Sequence, residues 1–169
     1  MNKQKIKTLA ISIAIPLLVG FTSAFITNNA MKSFSSLKQP PLSPPGIVFP
    51  IVWTILYILM GISFYFIIES DEIYKTNIKR NCIIIYIIQL IVNFFWSIFF
   101  FNLNWFVFSF LWLLLLWILI LMLILLSKKL NNISYKLLIP YLLWATFALY
   151  LNIGVAILNW YFLIFHFTN

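Results

Sequence analysis

The side chains that could do chemistry in this chain are aromatic rings, amides and small residues spaced about one helical turn apart. Trp53, Tyr57, Gly61 and Tyr65 fall at i, i+4, i+8 and i+12, which puts them on one stripe of a helix. Gln89, Asn93, Trp96, Ser97 and Phe100 form a second stripe, and Trp144, Ala148, Asn152, Ala156 and Asn159 a third behind Pro140. Two readings stay open on these residues alone. Small and amide residues are what membrane helices pack with, at roughly 1–2 kcal/mol or less per hydrogen bond. Flat aromatic walls, a buried amide and a small-residue floor also suit a planar apolar ligand. Trp144 and Ala148 would leave a slot beside an indole ring. Trp53 lies deeper in its helix than the tryptophans that anchor span ends at the interface.

The missing chemistry narrows the function further. One cysteine, Cys82, and one histidine, His166, cannot build a zinc site, which takes three or four N or S ligands. Cys82 therefore reads as structural, with no internal disulfide. His166 is remote from the acids Glu69, Asp71 and Glu72, so a Ser-His-Asp triad has no frame, and haem held by imidazole is disfavoured. Neither phosphate-cradling glycine motif is present. No charged residue falls inside an apolar run, which argues against a proton-driven pump with its intramembrane ionisable group. No catalytic acid or base, no metal site and no required cofactor are expected.

The elements that must position the stripes follow from composition. The chain is 64% hydrophobic and 8% charged, with a mean hydropathy of +1.05, too little polar surface for a soluble domain of 169 residues. The expected fold is an all-α integral membrane protein, a five-transmembrane-helix bundle in a single domain over 1–169. The predicted spans are 8–27, 46–68, 81–101, 105–127 and 137–158, each near the ~20 residues that cross a bilayer. Residues 81–127 are uncharged and would run about 70 Å as one helix, so the chain must turn at Asn102-Leu103-Asn104. The fourth span shows no polar stripe and is expected only to support the bundle and face lipid. Thr8–Met31 is uncharged and longer than a signal-peptide core, so it reads as a retained first span.

Nine basic residues (Lys3, Lys5, Lys7, Lys75, Lys79, Arg80, Lys128, Lys129, Lys136) fall on one side of this topology, and only Lys32 and Lys38 on the other. The excess marks the cytoplasmic side. The amino terminus and loops 2 and 4 are expected in the cytoplasm of a cell-membrane protein, loop 1 and the carboxyl terminus outside. The basic residues lie in separate loops, so the net charge of +8 is not a nucleic-acid footprint. The aromatic tail Trp160–Asn169 is expected at the interface. Small-residue faces make a homodimer reasonable.

Loop 1 carries Pro40, Pro41, Pro44 and Pro45, which hold an extended, low-entropy backbone. Ser43 is placed to cap the second helix, with Pro44 in its first turn. Such a loop serves as a lid or as a plain connector.

Taken together, PLSPPGIVFPIVWTILYILMGISFY at Pro41–Tyr65, NFFWSIFF at Asn93–Phe100 and IPYLLWATFALYLN at Ile139–Asn152 resemble the signature of the TspO/MBR family of tryptophan-rich sensory and translocator proteins. The resemblance covers about three quarters of the chain, Phe34 to Asn159, in the family's order and spacing. It implies a five-helix bundle that binds tetrapyrroles such as protoporphyrin IX under the first loop. The ligand-binding residues it implies are Phe34, Trp53, Tyr57, Asn93, Phe99, Trp144 and Ala148. Trp53 and Trp144 match the tryptophans implicated, in some members, in light-dependent porphyrin breakdown. The chain departs from the family in having Ser33 and Phe34 where a Trp-Tyr pair is usual and Leu42 where the loop often has Trp, so its lid is less aromatic. The sterol motif also fails, since no Lys or Arg follows Tyr150 within five residues. The reading is a membrane receptor or sensor for tetrapyrroles that transports or photodegrades them. The alternatives are a facilitative transporter or exporter of small hydrophobic molecules and a structural, partner-binding membrane protein.

Overall fold

A computed structural model describes residues 2–34, 36–70 and 76–159, without the side chains of 31–34. Five helices account for nearly all of them: α1 (Lys3–Phe34), α2 (Val48–Ile68), α3 (Thr76–Ser97), α4 (Phe106–Ser127) and α5 (Asn132–Leu158). A π turn, Ile98–Asn102, continues α3 to the tight corner before α4. All five helices are long and apolar enough to cross a membrane, so the chain is a multi-pass, all-α membrane bundle. The predicted interfacial tail, including His166, lies outside the described residues.

The helices close in the spatial order α1-α2-α5-α4-α3, with α3 returning to α1. The core runs down the middle on Met60, Ile67, Tyr86, Leu116, Leu138, Tyr141 and Val155, all at most 1% exposed. Large apolar side chains such as Phe21, Phe25, Leu111, Leu125 and Leu143 stand outward, where lipid rather than water is the solvent.

Two glycines set how closely the helices approach. A Cβ on Gly61 would lie 2.5 Å from Ile13 Cα and 2.7 Å from Ser12 O, so α1 and α2 touch backbone to backbone. Gly20 leaves room for the Tyr57 ring, which a Cβ there would meet at 2.1 Å.

Several sequence expectations are corrected. Helices α1, α3 and α5 begin five residues before their predicted spans, at Lys3, Thr76 and Asn132. Hydropathy marks only the stretch that lipid must cover, whereas the helix continues while its ends are satisfied. For α5 the signal is Asn131, whose Oδ1 accepts from Ile133 N at 2.8 Å and Ser134 N at 3.2 Å. Asn131→Ala should therefore lower stability by about 1 kcal/mol, read as a drop in thermal midpoint in detergent. Ser43 does not cap α2. Its Oγ donates to Pro40 O at 2.8 Å, and α2 starts at Val48 behind Ile47, with no side-chain cap. Pro44, Pro45 and Gly46 intervene, and Val48 N donates to Pro45 O at 2.9 Å instead.

Helix α4 is also more than a support. Its outer face is exposed at Val107, Leu111, Leu114 and Ile118, but its inner face carries the fully buried Ser109. Its Trp112 and Trp117 reach out to Val92 O and Thr146 Oγ1, each at 2.8 Å. At the opposite end of the bundle from loop 1, Lys79 Nζ donates to Ile68 O and Ser70 O, closing the last turn of α2.

Candidate functional site

The stripes of α2 and α3 meet Tyr141 of α5 in a polar chain at the centre of the bundle. Tyr57 Oη donates to Asn93 Oδ1 at 2.8 Å. Asn93 Nδ2 donates to Tyr141 Oη at 2.8 Å, and Tyr141 Oη to Gln89 Oε1 at 3.0 Å. One amide on α3 thus joins α2 to α5. All four residues are buried, where hydrogen-bonded groups favour a single packing; at the end of the chain Gln89 Nε2 meets no partner among the described residues. A second amide does the same nearer loop 1. Asn152, with its amide oriented to suit its neighbours, donates to Phe106 O at 2.8 Å and accepts from Ser109 Oγ at 3.0 Å and Trp96 Nε1 at 3.2 Å.

Aromatic rings surround this chain. Trp53 is the hub, with centroids 5.6 Å from Tyr57, 6.1 Å from Trp96 and 6.1 Å from Tyr141. Beside them lies a cavity of about 110 Å³, lined by Gly20, Ser23 and Thr27 of α1, Phe49, Trp53 and Tyr57 of α2, and Trp96, Ser97 and Phe101 of α3 and its π turn. Its lining comes from the second half of α1, the start of α2 and the end of α3.

Three ties hold loop 1 to α5. Asn159 Oδ1 accepts from Lys38 N at 3.1 Å while its Nδ2 donates to Lys38 O at 2.9 Å, a side chain pairing with backbone as a neighbouring strand would. Tyr150 Oη donates to Pro41 O at 2.7 Å. Pro40 is buried against Gly154, where any Cβ would come within 2.6 Å of its ring. Leu37 packs on the core. The loop thus leaves α1, crosses to α5 and returns to α2. It turns at Leu42, which is 83% exposed at a φ of 65°, a conformation that costs a residue with a Cβ about 1–2 kcal/mol.

The expected site residues divide into groups. Trp53, Tyr57 and Asn93 come together at the cavity and the polar chain beneath it. Trp144 does not face that cavity. It lines a separate cleft of about 460 Å³ between α2 and α5, with Val52, Leu56, Pro140 and Phe147. Its buried Nε1 meets no partner among the described residues. Phe49 links the two, lining the cavity with its ring 6.0 Å from Trp144. Ala148 is buried between helices. Phe99 points elsewhere, its ring stacked with Trp105 and edge-on to Phe108 and Trp112. Six residues beyond Asn93 is some 240° around a helix, so the two cannot share a face, and Trp96 and Phe101 stand at the cavity instead. Phe34 ends α1, with its side chain outside the described residues.

Tyr141, Phe49 and the loop anchors Tyr150, Gly154 and Asn159 were missed as site residues. Tyr141 lies three and seven residues before Trp144 and Ala148, a spacing that announced the shared face. A groove of about 550 Å³ between α1 and α3 is lined by Ile15, Leu18, Phe64, Ile87 and Phe94, and by none of the expected site residues.

Comparison with known proteins decides the kinship. A sequence model of the TspO/MBR family matches residues 12–158. The chain belongs to the TspO/MBR family. It is 37% identical to the tryptophan-rich protein TspO of Chlorobaculum tepidum, over 94% of this chain and 99% of that one. It is 35% identical to the translocator protein homolog of Schizosaccharomyces pombe, over 86% and 88%, and 32% identical to protein CrtK of Rhodobacter capsulatus, over 83% and 85%. The match spans all five helices of the TspO/MBR bundle, including loop 1 and its α5 anchors up to Gly154.

Proposed function

We propose that this protein is a membrane receptor for porphyrin-type tetrapyrroles, with protoporphyrin IX as the model ligand, held under loop 1 against Trp53. The observation that carries the reading is the Trp53 hub: three further rings within 6.1 Å and a wall on the cavity between α1, α2 and α3. Stacked aromatic faces suit a flat macrocycle. The site's chemistry fits a tetrapyrrole, but its present volume does not. Sites for drug-sized ligands run to roughly 300–1,000 Å³, several times the 110 Å³ between α1, α2 and α3. Binding therefore requires the lid or α1 to move outward.

The excess of basic residues at the loop-2 and loop-4 end supports an orientation in the cell membrane with loop 1 outward. The small residues that suggested a homodimer, Gly61, Ala148 and Ala156, are buried inside the protomer. Small residues that stay exposed for such a contact lie on α1, at Ala10 and Ala14.

The test is a dark titration of purified protein with protoporphyrin IX, followed by tryptophan quenching. Saturation in the micromolar range is expected, and quenching that never saturates would remove the tetrapyrrole from the account. Illuminating the complex in air then shows whether the bound porphyrin is oxidatively degraded, with Trp53 and Trp144 the indole candidates, while uptake into proteoliposomes tests transport.

A further inference from the structure

The groove between α1 and α3 opens on lipid. Its floor is the Phe64 ring stacked on Tyr86, with centroids 4.1 Å apart and planes 10° from parallel, both residues buried. Its rims are Leu18, Ile87 and Ile91, each at least half exposed. Thr22 turns its hydroxyl back to Leu18 O at 2.7 Å, and the Oη of Tyr86 is buried, so the walls present aliphatic and aromatic carbon. A lipid-facing hollow of about 550 Å³ has the size of a ligand site. Its lining atoms gain dispersion contacts only when a chain lies in it.

What selects the chain stands below the groove, at the loop-2 end. Arg80 precedes Ile87 by seven residues and Phe94 by fourteen, two and four helical turns, which puts it on the groove wall of α3. Lys7 precedes Leu18 by eleven residues, three turns, on the facing wall of α1. Both are exposed, and neither makes a hydrogen bond or ion pair among the described residues. Nearby cations are committed elsewhere. Lys5 pairs with Glu69 at 3.2 Å, and Lys79 donates to Ile68 O and Ser70 O.

The heights on the two walls agree. Lys7 to Thr22 and Arg80 to Phe95 are each fifteen residues, about 22 Å of helix. Half of a ~40–45 Å bilayer, headgroups included, is about 20–22 Å. A phospholipid of one leaflet thus spans from the two charges to the far end of the groove.

We propose that the α1–α3 groove is a phospholipid site, holding an acyl chain of an anionic lipid whose phosphate lies between Lys7 and Arg80. A zwitterionic lipid fills the same groove less well, because its own ammonium offsets the pull of two cations on its phosphate. The groove shares no lining residue with the cavity beside Trp53, so this site stands apart from the tetrapyrrole reading.

Native mass spectrometry of the purified protein provides the test, with phosphatidylglycerol and phosphatidylcholine of identical chains added to the same detergent. Wild type should bind phosphatidylglycerol about thirtyfold more tightly, as for two basic residues near an anionic headgroup. The double variant Lys7→Gln, Arg80→Gln should lose that preference. Lys128→Gln, Lys129→Gln removes equal charge at loop 4 and should keep it. Ile91→Trp fills the groove from a lipid-facing position and should weaken both lipids alike. Preference that survives in Lys7→Gln, Arg80→Gln, or falls equally in the loop-4 variant, would overturn the site. Unchanged phosphatidylglycerol affinity in Ile91→Trp would overturn it too, and conversion of a dimer to a monomer in that variant would give the groove to a second copy of the chain.

Discussion

Gly61→Val should leave little folded protein. The added Cβ would stand 2.5 Å from Ile13 Cα, 2.7 Å from Ser12 O and 3.0 Å from Ile13 N, all backbone atoms of a continuous helix. A side chain in the way can change rotamer, but here only a shift of α1 as a rigid rod relieves the clash. Such a shift also pulls Gly20 from the Tyr57 ring and widens the cavity wall. Overpacking costs typically 1–3 kcal/mol when side chains can adjust, so Gly61→Ala should fall at the top of that range and Val beyond it. Within a total stability of about 5–15 kcal/mol, that is enough to empty the native state. Size-exclusion profile and thermal midpoint in detergent provide the check. Gly46→Ala is the matched control, since a Cβ there meets nothing within 4 Å and should change neither. A monodisperse Gly61→Val protein with an unaltered midpoint would mean that α1 does not pack on α2 at this distance.

Asn93→Leu should be the most damaging change at the centre of the bundle that adds no bulk. It removes the acceptor of Tyr57 Oη and the donor to Tyr141 Oη together. Tyr141 keeps Gln89, but Tyr57 loses the one side-chain partner found for its hydroxyl in a fully closed site. Polar contacts between membrane helices average only about 0.6 kcal/mol, because partners are found in the unfolded state as well. Stranding a buried hydroxyl in the folded state costs more, about 1–3 kcal/mol, and this penalty should decide the outcome. Adding Tyr57→Phe in the Asn93→Leu background removes the stranded group and should restore much of the loss. The four proteins form a double-mutant cycle. A cycle that closes with no coupling would show that Tyr57 and Asn93 do not depend on each other.

How much of this was legible in the sequence depends on what each feature rests on. The five helices were legible because a bilayer demands uninterrupted apolar runs, and little else satisfies backbone groups in lipid. The inward stripes at Tyr57, Gly61, Gln89, Asn93, Trp96 and Asn152 were legible because amides are costly in lipid and need a protected face, and a glycine lets helix backbones approach closely. Helix ends were not, since Lys3–Lys7 and Asn132–Lys136 continue the helix where hydropathy falls. Ser43 misled because a serine before a helix can also close a turn on its own proline loop. Phe99 came from a motif position rather than from a face, and the angular count from Asn93 already excludes a shared one. The seating of loop 1 on α5 could not be read at all. It joins Lys38 to Asn159 across 121 positions, and an asparagine at the end of a helix looks the same whether it caps that helix or holds a loop. The separation of Trp53 from Trp144 was hidden for a related reason, because both stripes point inward but the order α1-α2-α5 sets them on different sides of α2.

That separation gives the most direct test of where the ligand sits. Wild type, Trp53→Phe and Trp144→Phe would be titrated in parallel with protoporphyrin IX in the dark, by tryptophan quenching corrected for the lost indole. A ligand held under loop 1 should bind saturably, weakening clearly in Trp53→Phe and less in Trp144→Phe. Binding that is lost only in Trp144→Phe would move the site to the α2–α5 cleft, where the indole N–H has no partner among the described residues, and quenching indifferent to both residues would contradict a tetrapyrrole pocket altogether.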